Sequence, residues 1–338
     1  MKQNLGRASI RLEKEVYILN SASIVGKKEG EGPLGLLFDK VGEDDLFGCN
    51  CWEEAESTLQ KDAVYLAMSK AGVKPDDINV IIAGDLLGQS IATSFGIADY
   101  QIPLLGVYGA CSTCGESLAV GAMLLSGGYA EKVACVTSSH FASAEKEFRF
   151  PLEYGNQRPL SSTWTVTGSG AFILGMGKEG ARARITGLTI GKIVDYGLKD
   201  SMNMGACMAP SAASTLERHF IDFESQPEDY DKIITGDLGK VGQTVLIDLM
   251  REKGYDISAM HMDCGIEIYD PETQDTHSGG SGCGCSAVTL SAYVLKQIEE
   301  GNWKKVLFMP TGALLSKTSF NEGKSVPGIA HALVIEQV

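Results

Sequence analysis

The sequence predicts an α/β protein built from two similar halves. Residues 81–86 (IIAGDL) return as residues 233–238 (IITGDL), and each copy follows a proline-acidic turn segment. Residues 126–133 likewise have a partner in residues 299–306. A repeat of about 150 to 175 residues is too long for a solenoid. It predicts two half-molecules related by a pseudo-two-fold axis, with boundaries at residues 1–178 and 179–338.

The elements of the first half follow from hydrophobic periodicity. Residues 52–71 place apolar side chains on one stripe at helical spacing, which predicts a helix. Residues 78–83 are short, β-branched and nearly all apolar, which is typical of a parallel strand buried on both faces. The other predicted elements are strands at 16–20, 104–108, 132–138 and 165–174, helices at 90–99 and 112–127, a Gly-rich loop at 26–35, and a long irregular loop at 139–164.

The second half repeats this alternation of strands and helices, which indicates a layered α/β architecture. No linker or low-complexity stretch separates the halves, so we expect one continuous body. The predicted elements are strands at 184–193, 231–235, 264–269, 304–309 and 328–336, helices at 210–223, 243–253 and 285–300, and loops at 195–209 and 278–284.

Composition excludes several classes of function. The chain of 338 residues has 29 basic and 43 acidic side chains, a formal net charge of -14, and no basic cluster. Nucleic acid is therefore not an expected partner, because its binding needs a positive face. There is no apolar run of about 18 residues and no apolar segment near the N-terminus, so we expect neither a membrane span nor a signal peptide.

Nine scattered cysteines indicate a reducing, cytoplasmic compartment rather than a disulfide framework. Cys111 and Cys114, with Cys283 and Cys285, are four candidate metal thiolates. Zinc hairpins usually have two to four intervening residues, and both segments fit helix starts better.

The segment 109–117 (GACSTCGES) carries the clearest chemical signal. A predicted buried strand runs through a Gly-Ala turn into a helix, and Cys111 lies at that helix N-terminus. Free backbone N–H groups and the helix dipole there favour negative charge, so we expect a lowered thiol pKa and a nucleophilic cysteine. The alternative is that Cys111 is a small buried residue.

The duplicated halves and the position of Cys111 resemble the thiolase and ketoacyl synthase superfamily. The resemblance covers the whole chain. It implies a thiolase-like fold in a layered α-β-α-β-α arrangement, a homodimer, and a cysteine that takes up an acyl group.

Seven segments carry a closer resemblance: 31–35 (EGPLG), 83–87 (AGDLL), 109–113 (GACST), 137–140 (TSSH), 148–151 (FRFP), 153–155 (EYG) and 279–283 (GGSGC). They resemble the stage V sporulation protein AD family, and the match extends over residues 16 to 336. It implies a protein of endospore-forming bacteria that binds dipicolinic acid, as its calcium chelate, for uptake into the developing spore. It also implies a peripheral place at the spore inner membrane beside integral membrane proteins of the same uptake system. No cofactor is implied, since calcium would enter with the ligand.

The partners that related synthases use for catalysis are missing from this sequence. Where they have a histidine after the strand equivalent to 231–235, this chain has Gly236 and Asp237. Where they have an asparagine or histidine before the last long helix, it has residues 281–285 (SGCGC). Without an imidazole in reach, the thiol lacks its base and acyl transfer lacks its acid.

A dipicolinate site needs N–H donors, cations and, for calcium, oxygen ligands. The helix starts at Cys111 and Cys285 are expected to supply donors from both halves. Asp85 and Asp237 end equivalent strands, where ligands bind in α/β sheets, and could coordinate Ca²⁺. The alternative for both aspartates is loop or helix capping.

The long loop at 139–164 adds two further candidates. Arg149 is suited to bidentate pairing with a carboxylate, the alternative being an ion pair with Glu145, Glu147 or Glu153. His140 follows a strand end and is expected to face the pocket. Methionines in the loop at 195–210, among them Met204, either wall an apolar ring pocket or pack in the core.

We therefore expect non-catalytic binding of dipicolinate in spore formation, with Cys111, Asp85, His140, Arg149, Asp237 and Cys285 as candidate ligand-binding residues. The alternative function is a Cys111-dependent acyltransferase or condensing enzyme of the ketoacyl synthase III type. A third is a structural subunit of a membrane transport assembly.

Overall fold

A computed structural model describes residues 3–148 and 157–338. Up to residue 189 the described residues form nine strands and five helices, and the ninth strand already belongs to the second half. The strands are β1 (Asn4–Leu5), β2 (Ser9–Val25), β3 (Lys40–Val41), β4 (Val80–Gly84), β5 (Leu104–Gly106), β6 (Lys132–Ser139), β7 (Trp164–Thr165), β8 (Gly168–Gly175) and β9 (Ala183–Thr189). The helices are α1 (Lys27–Gly30), α2 (Trp52–Ala71), α3 (Ile91–Ile97), α4 (Thr113–Ser126) and α5 (Phe141–Phe148).

After β9, the rest of the second half follows the same alternation. Its strands are β10 (Lys232–Gly236), β11 (His261–Asp263), β12 (Gly280–Ser281), β13 (Lys305–Ala313), β14 (Gly328–Ala330) and β15 (Ala332–Glu336). Its helices are α6 (Met204–Phe223), α7 (Gly239–Glu252), α8 (Cys264–Glu267), α9 (Cys283–Thr289), α10 (Leu295–Glu299) and α11 (Lys317–Asn321). A π-helical turn, Leu290–Val294, joins α9 to α10.

The main sheet has the same strand pattern read from either end. Its order is β11-β10-β13-β15-β9-β2-β8-β6-β4-β5. In each half, three parallel strands are followed by two antiparallel ones, and β2 and β9 pair at the centre. This palindromic order is what a pseudo-two-fold axis between β2 and β9 requires.

Helices lie in three layers around the two halves of the sheet. Helices α4 and α9 contact each other and strands of both halves, so they form the central layer. Helices α2 and α3 cover the outer face of the first half, and α6 and α7 cover that of the second. The largest cluster of buried apolar side chains joins residues of both halves around α4 and α9. The predicted layered α-β-α-β-α fold is confirmed.

The sequence repeat is reproduced in hydrogen bonds that precede equivalent strands. Asp77 accepts a hydrogen bond from the backbone N–H of Lys74, and Asp229 accepts the equivalent bond from Gln226, each at 2.8 Å. Asn79 then receives the two N–H groups that begin β6, and Asp231 receives those that begin β13. The repeat therefore fixes how two parallel strands start side by side in each half.

Among the predicted elements that differ from the structure, three bear on the site, and two of these differ because of a local cap. Helix α5 lies inside the segment expected to be irregular. The expected strand at 264–269 is wrong, since the carboxylate of Asp263 accepts the N–H of Gly265 at 3.1 Å and starts α8. Helix α6 begins six residues before the predicted helix, because the side chain of Asn203 caps it. In the part of the chain that is described, no helix has the length and apolarity needed to span a bilayer.

Candidate functional site

The turn before α4 presents Cys111 between the two halves. The backbone of Ala110 adopts a left-handed conformation with φ of 50°, which is unfavourable for a residue with a side chain. The turn is held locally, because the hydroxyl of Thr113 donates to the carbonyl of Ala110 at 2.6 Å and that of Ser112 donates to Gly109 at 2.7 Å. Such a sharp strand-to-helix turn aims one side chain away from the sheet.

The other half supports this turn at close range. Gly312, on β13, lies so near that a Cβ atom there would be 2.1 Å from the carbonyl oxygen of Gly109 and 3.0 Å from the backbone nitrogen of Ser112. Only glycine allows this contact between backbones. The position of Cys111 is therefore set jointly by both halves.

The thiol of Cys111 is buried, with 5% of the residue exposed. Its Sγ lies 3.6 Å from Oγ of Ser281 on β12. Burial, and next the nearby carboxyl of Asp237, raise the pKa of Cys111 to about 12, although the backbone N–H groups of Gly282 and Cys111 favour the thiolate. The prediction of a lowered pKa is wrong, because desolvation outweighs the donors at the turn.

A small cavity lies over Cys111. Its volume is about 30 Å³, enough for one or two water molecules. The polar side chains in its wall are those of Glu145, Thr165 and Ser281 besides the thiol. The rest of the wall is apolar and comes from both halves: Leu86, Ala110, Ala144, Phe148, Met204, Ala313 and Leu315.

Asp237, at the position where the resemblance to synthases implies a histidine, is fully buried. Neither of its carboxyl oxygens completes a hydrogen bond with the described residues. Burial, and then the charge of Asp263, raise its pKa well above the usual value, which favours the neutral acid. Its φ of 82° adds backbone strain. A neutral carboxyl of this kind is a poor substitute for an imidazole base.

The two repeated aspartates have different environments. Asp85 accepts hydrogen bonds from the backbone N–H groups of Leu87 and Thr93 and from the Thr93 hydroxyl, at 2.6 to 2.8 Å. In the second half the equivalent loop N–H groups are bound by Asp263 instead. Asp85 therefore caps its loop, as the alternative interpretation predicts, whereas Asp237 makes no such hydrogen bonds. The site is thus less symmetric than the repeat indicates.

His140 contacts the loop before α2 rather than the cavity. Its Nε2 lies 2.7 Å from the carbonyl oxygen of Asp45, and its Nδ1 accepts the N–H of Ala142 at 3.1 Å. Burial lowers the pKa of His140, which favours the neutral ring that these two contacts require. Arg149 lies outside the described residues.

Cys285 lies in the main apolar core, and its backbone N–H donates to Gly282 at 2.8 Å. It therefore offers no free donor to a ligand. All nine cysteines are free thiols. No cluster of three or more metal-ligating side chains occurs within residues 3–148 and 157–338.

The sequence does not predict most of the cavity wall. It indicates Ser281 only as a replacement for a catalytic residue, and Ala144 and Glu145 lie on the unpredicted helix α5. Met204 is one of the methionines for which the sequence leaves an apolar pocket open, and it does line the cavity. The signal for Ser281 lay in the Gly-rich turn at 278–284, which brings β12 alongside β7.

Two cations lie over one aromatic ring close to this wall. Lys28 Nζ is 4.4 Å, and the Arg158 guanidinium carbon 4.7 Å, from the ring centroid of Trp164. Phe141 stacks on the same ring at 3.7 Å and leaves the other face to the cations. Trp164 directly precedes the cavity residue Thr165 on β7, so its side chain points to the opposite face of that strand.

Comparison with known sequences identifies one family. The sequence profile of stage V sporulation protein AD matches residues 6–336. The chain is 42% identical over 332 residues to stage V sporulation protein AD of Bacillus subtilis (strain 168), an alignment that covers 98% of this chain and 97% of that protein.

Solved structures similar to this chain are thiolase-like condensing enzymes, at identities that establish the fold alone. The 3-oxoacyl-acyl-carrier-protein synthase III of Aquifex aeolicus VF5 is 14% identical with a TM-score of 0.58, over 95% of this chain and 99% of that one. An OleA variant of Xanthomonas campestris is 14% identical with a TM-score of 0.60, over 96% and 99%. Human mitochondrial 3-ketoacyl-CoA thiolase is 12% identical with a TM-score of 0.58, over 97% and 99%.

Proposed function

Because the chain belongs to the stage V sporulation protein AD family, and so has a role in sporulation, we propose that it binds dipicolinic acid for uptake into the developing spore. The ligand is held in the thiolase-like pocket at Cys111 and is not chemically changed. In this proposal the protein acts at the spore inner membrane as a peripheral component beside integral membrane proteins of the same uptake system.

We infer binding without catalysis from the two side chains that lie near the Cys111 thiol. An acyl-transfer site needs a base that removes the thiol proton and a donor that protonates the leaving group. Here Cys111 faces Ser281 and a carboxyl that burial keeps neutral, and its own pKa is raised to about 12. A pocket is retained at the superfamily's acyl site, while the groups that drive its chemistry are absent from the described residues.

The two cations at Trp164 lie on the opposite face of β7 from the cavity, so they add positive charge that attracts an anionic ligand to this region without lining the cavity itself. Arg158 is 92% buried at its side chain, pairs with Asp275 at 3.1 Å, and leaves Nη1 without a hydrogen bond among the described residues. Lys28 lies over the same ring. Burial lowers its pKa, the charge of Glu29 opposes this effect, and repulsion from Arg158 lowers the pKa further. A carboxylate near these groups would relieve the repulsion between them.

Calcium enters, in this proposal, as part of the ligand. Asp85 does not fit a metal site, because both of its oxygens already accept hydrogen bonds. Asp237 has free oxygens, but burial favours its protonated form. Dipicolinate itself chelates Ca²⁺, so the protein needs only to hold the chelate.

Ligand entry requires the pocket to widen. A benzene-sized ring needs a cavity of about 150 Å³, whereas the space over Cys111 is about 30 Å³. The side chains best able to change rotamer are Met204 and Leu315, since Met204 is flexible and both border the cavity. Binding is therefore sensitive to any side chain that fills the remaining space.

We expect Ala144→Leu to weaken binding of calcium dipicolinate roughly tenfold or more, because a leucine occupies the cavity that the ring must enter. Cys111→Ala should weaken binding to a smaller extent. Isothermal titration calorimetry measures both effects, with free dipicolinate and the calcium chelate titrated separately.

Ala142→Leu is the matched control, since Ala142 is half-buried on the same helix and does not border the cavity. It should bind as the unaltered protein does, and circular dichroism checks that all variants fold. No heat of binding at millimolar ligand would reject the proposal. An acyl adduct on Cys111, seen by mass spectrometry after incubation with acyl-CoA, would instead favour the acyltransferase.

We also propose a homodimer formed through β5. Within the described residues β5 pairs only with β4, so its outer edge has unpaired backbone groups. Leu104 and Leu105 on this strand are 43% and 44% exposed, and Phe95 on the preceding helix is 71% exposed. An exposed apolar edge strand of this kind is usually covered by another chain.

Leu105→Glu should convert the dimer into a monomer, because two glutamates would meet at the paired edge. Light scattering after size-exclusion chromatography gives the mass of each variant. Tyr129→Glu is the control: Tyr129 is 83% exposed and lies on the turn after α4. A monomeric unaltered protein, or an unchanged mass for Leu105→Glu, would contradict the dimer.

A further inference from the structure

A second open cavity lies far along the chain from Cys111, between the N-terminal turn and α6. Its volume is about 280 Å³. Three of its side chains are cationic: Arg7, Lys192 and Arg218. The remaining wall consists of Ala8, Ile190, Gly191, Ser214, Thr215, Glu217 and Ile221. We call this the Arg218 groove.

The cations of the Arg218 groove are unusual in a chain whose net charge is -14. The one acidic residue in the wall, Glu217, already pairs with Lys253 at 2.8 Å. Arg7 and Lys192 make no ion pair with any of the residues that the structure describes. Asp222 pairs with Arg218 and Lys253 pairs with Glu217, so the excess positive charge of the groove comes from Arg7 and Lys192, which no ion pair among the described residues offsets.

The N-terminal turn is built around a buried carboxylate that also fixes Arg218. Asp222 accepts the backbone N–H groups of Arg7 and Ala8 at 3.3 and 3.1 Å, and the hydroxyl of Ser9 at 3.0 Å. Its other contact is Nη2 of Arg218 at 2.8 Å. A Cβ on Gly6 would lie 1.8 Å from this carboxylate, so the turn closes tightly over it.

This arrangement orients one guanidinium in advance and places a second beside it. Arg218 is held on one side by Asp222 and is one-third exposed at its side chain. The Arg7 side chain starts from a backbone that the same carboxylate fixes. Planar guanidinium groups held in this way suit phosphate, which accepts several hydrogen bonds and carries more than one charge.

We propose that the Arg218 groove binds a phosphate group, carried either by a small phosphorylated molecule or by the headgroup of an anionic lipid. Arg7, Lys192 and Arg218 neutralise the phosphate charge, and the hydroxyl of Ser214 is a further donor. The site is independent of the Cys111 pocket, so neither proposal depends on the other.

The test uses inorganic pyrophosphate as the probe, titrated calorimetrically into the full chain at low ionic strength. We expect binding that weakens with added salt and falls at least tenfold in Arg7→Ala/Lys192→Ala. These substitutions leave the fold intact, because only the backbone of Arg7 contacts Asp222 and Lys192 is exposed. Arg218→Lys keeps the positive charge but loses the planar guanidinium that can donate two hydrogen bonds to one phosphate, so it should weaken binding as well.

The matched control is Lys178→Ala/Lys240→Ala, which removes two exposed cations elsewhere and gives the same change in net charge. It should bind pyrophosphate as the unaltered protein does. Sedimentation with vesicles of phosphatidylglycerol and phosphatidylcholine then distinguishes the two sources of the phosphate group. If the protein binds the vesicles and the Arg7→Ala/Lys192→Ala variant does not, the ligand is a lipid headgroup. If the protein does not bind the vesicles, the ligand is a small phosphorylated molecule. No pyrophosphate binding, or equal loss in the control, would overturn the proposal.

Discussion

Gly312→Ala is expected to lower the free energy of unfolding by about 3 kcal/mol or more, because the added methyl group meets backbone atoms that cannot rotate away. The new carbon would lie 2.1 Å from the carbonyl oxygen of Gly109. Relief requires β13 to separate from the Cys111 turn, so binding at the pocket should fall with stability. Urea denaturation followed by circular dichroism measures the change.

Gly177→Ala is the control for this substitution. A Cβ at Gly177 meets no atom within 4 Å, and its φ is not left-handed. Surface substitutions of this kind usually change stability by less than about 0.5 kcal/mol. If Gly312→Ala proved as stable as Gly177→Ala, the two halves would not support the cysteine turn as described.

The second large effect concerns alkaline pH: the free energy of unfolding should fall as pH rises from about 6.5 to about 8. Glu56 on α2 is fully buried and accepts hydrogen bonds from the hydroxyls of Ser138 and Ser143 at 2.9 and 2.7 Å. Burial, and next the charge of Asp85, raise its pKa to about 8 from an ordinary value of 4.5.

The direction of this pH dependence follows from which state, native or unfolded, keeps the Glu56 proton. Above its ordinary pKa the unfolded chain loses this proton, while the native state keeps it until about pH 8. Each pH unit in that window therefore costs the native state about 1.4 kcal/mol. Asp237, whose pKa is also raised by burial, acts in the same direction.

Buried histidines oppose this trend at lower pH. Burial lowers the pKa of His219 to about 3 and those of His261 and His331 to about 4 from an ordinary 6.5. Below 6.5 the unfolded state binds protons that these native rings do not, so stability falls as pH decreases further. The free energy of unfolding should therefore be greatest near pH 6.5. Above that pH the histidines no longer contribute, so the effect of the buried carboxyl groups can be measured separately.

Glu56→Gln should flatten the alkaline side of the stability curve, because the amide does not ionise. Denaturation midpoints of the variant and the unaltered protein, measured across this pH range, give the difference in slope. Glu252→Gln, an exposed residue on α7, removes the same charge and should follow the unaltered protein. Parallel slopes for Glu56→Gln would show that Glu56 is ionised in the native state.

The fold was predictable because its information is local and repeated. Helix α2 agrees at both ends with the apolar stripe from 52 to 71, and β4 and β10 follow matched turn residues. The stage V sporulation protein AD resemblance and the thiolase-like fold are confirmed. The errors occurred where one side chain decides the element, as Asp263 does at α8 and Asn203 at α6.

The candidate site was less predictable, because its properties depend on burial and on the second half. The position of Cys111 was evident from the turn sequence, but its raised pKa results from surroundings that converge only after folding. Asp85 and Asp237 have the same sequence context and different contacts, since Asp263 from a third strand binds the second loop. No pattern in the repeat encodes that exchange.

The central position of β2 has a consequence for the protein during its synthesis. Residues 9–25 leave the ribosome well before their main partners, β8 and β9, which begin only at residues 168 and 183. At roughly 5 to 20 residues per second, this strand waits about 10 to 30 s before its sheet neighbours are translated. Each half contains paired strands that are far apart in the sequence, so non-local contacts dominate folding. The central sheet is therefore completed late.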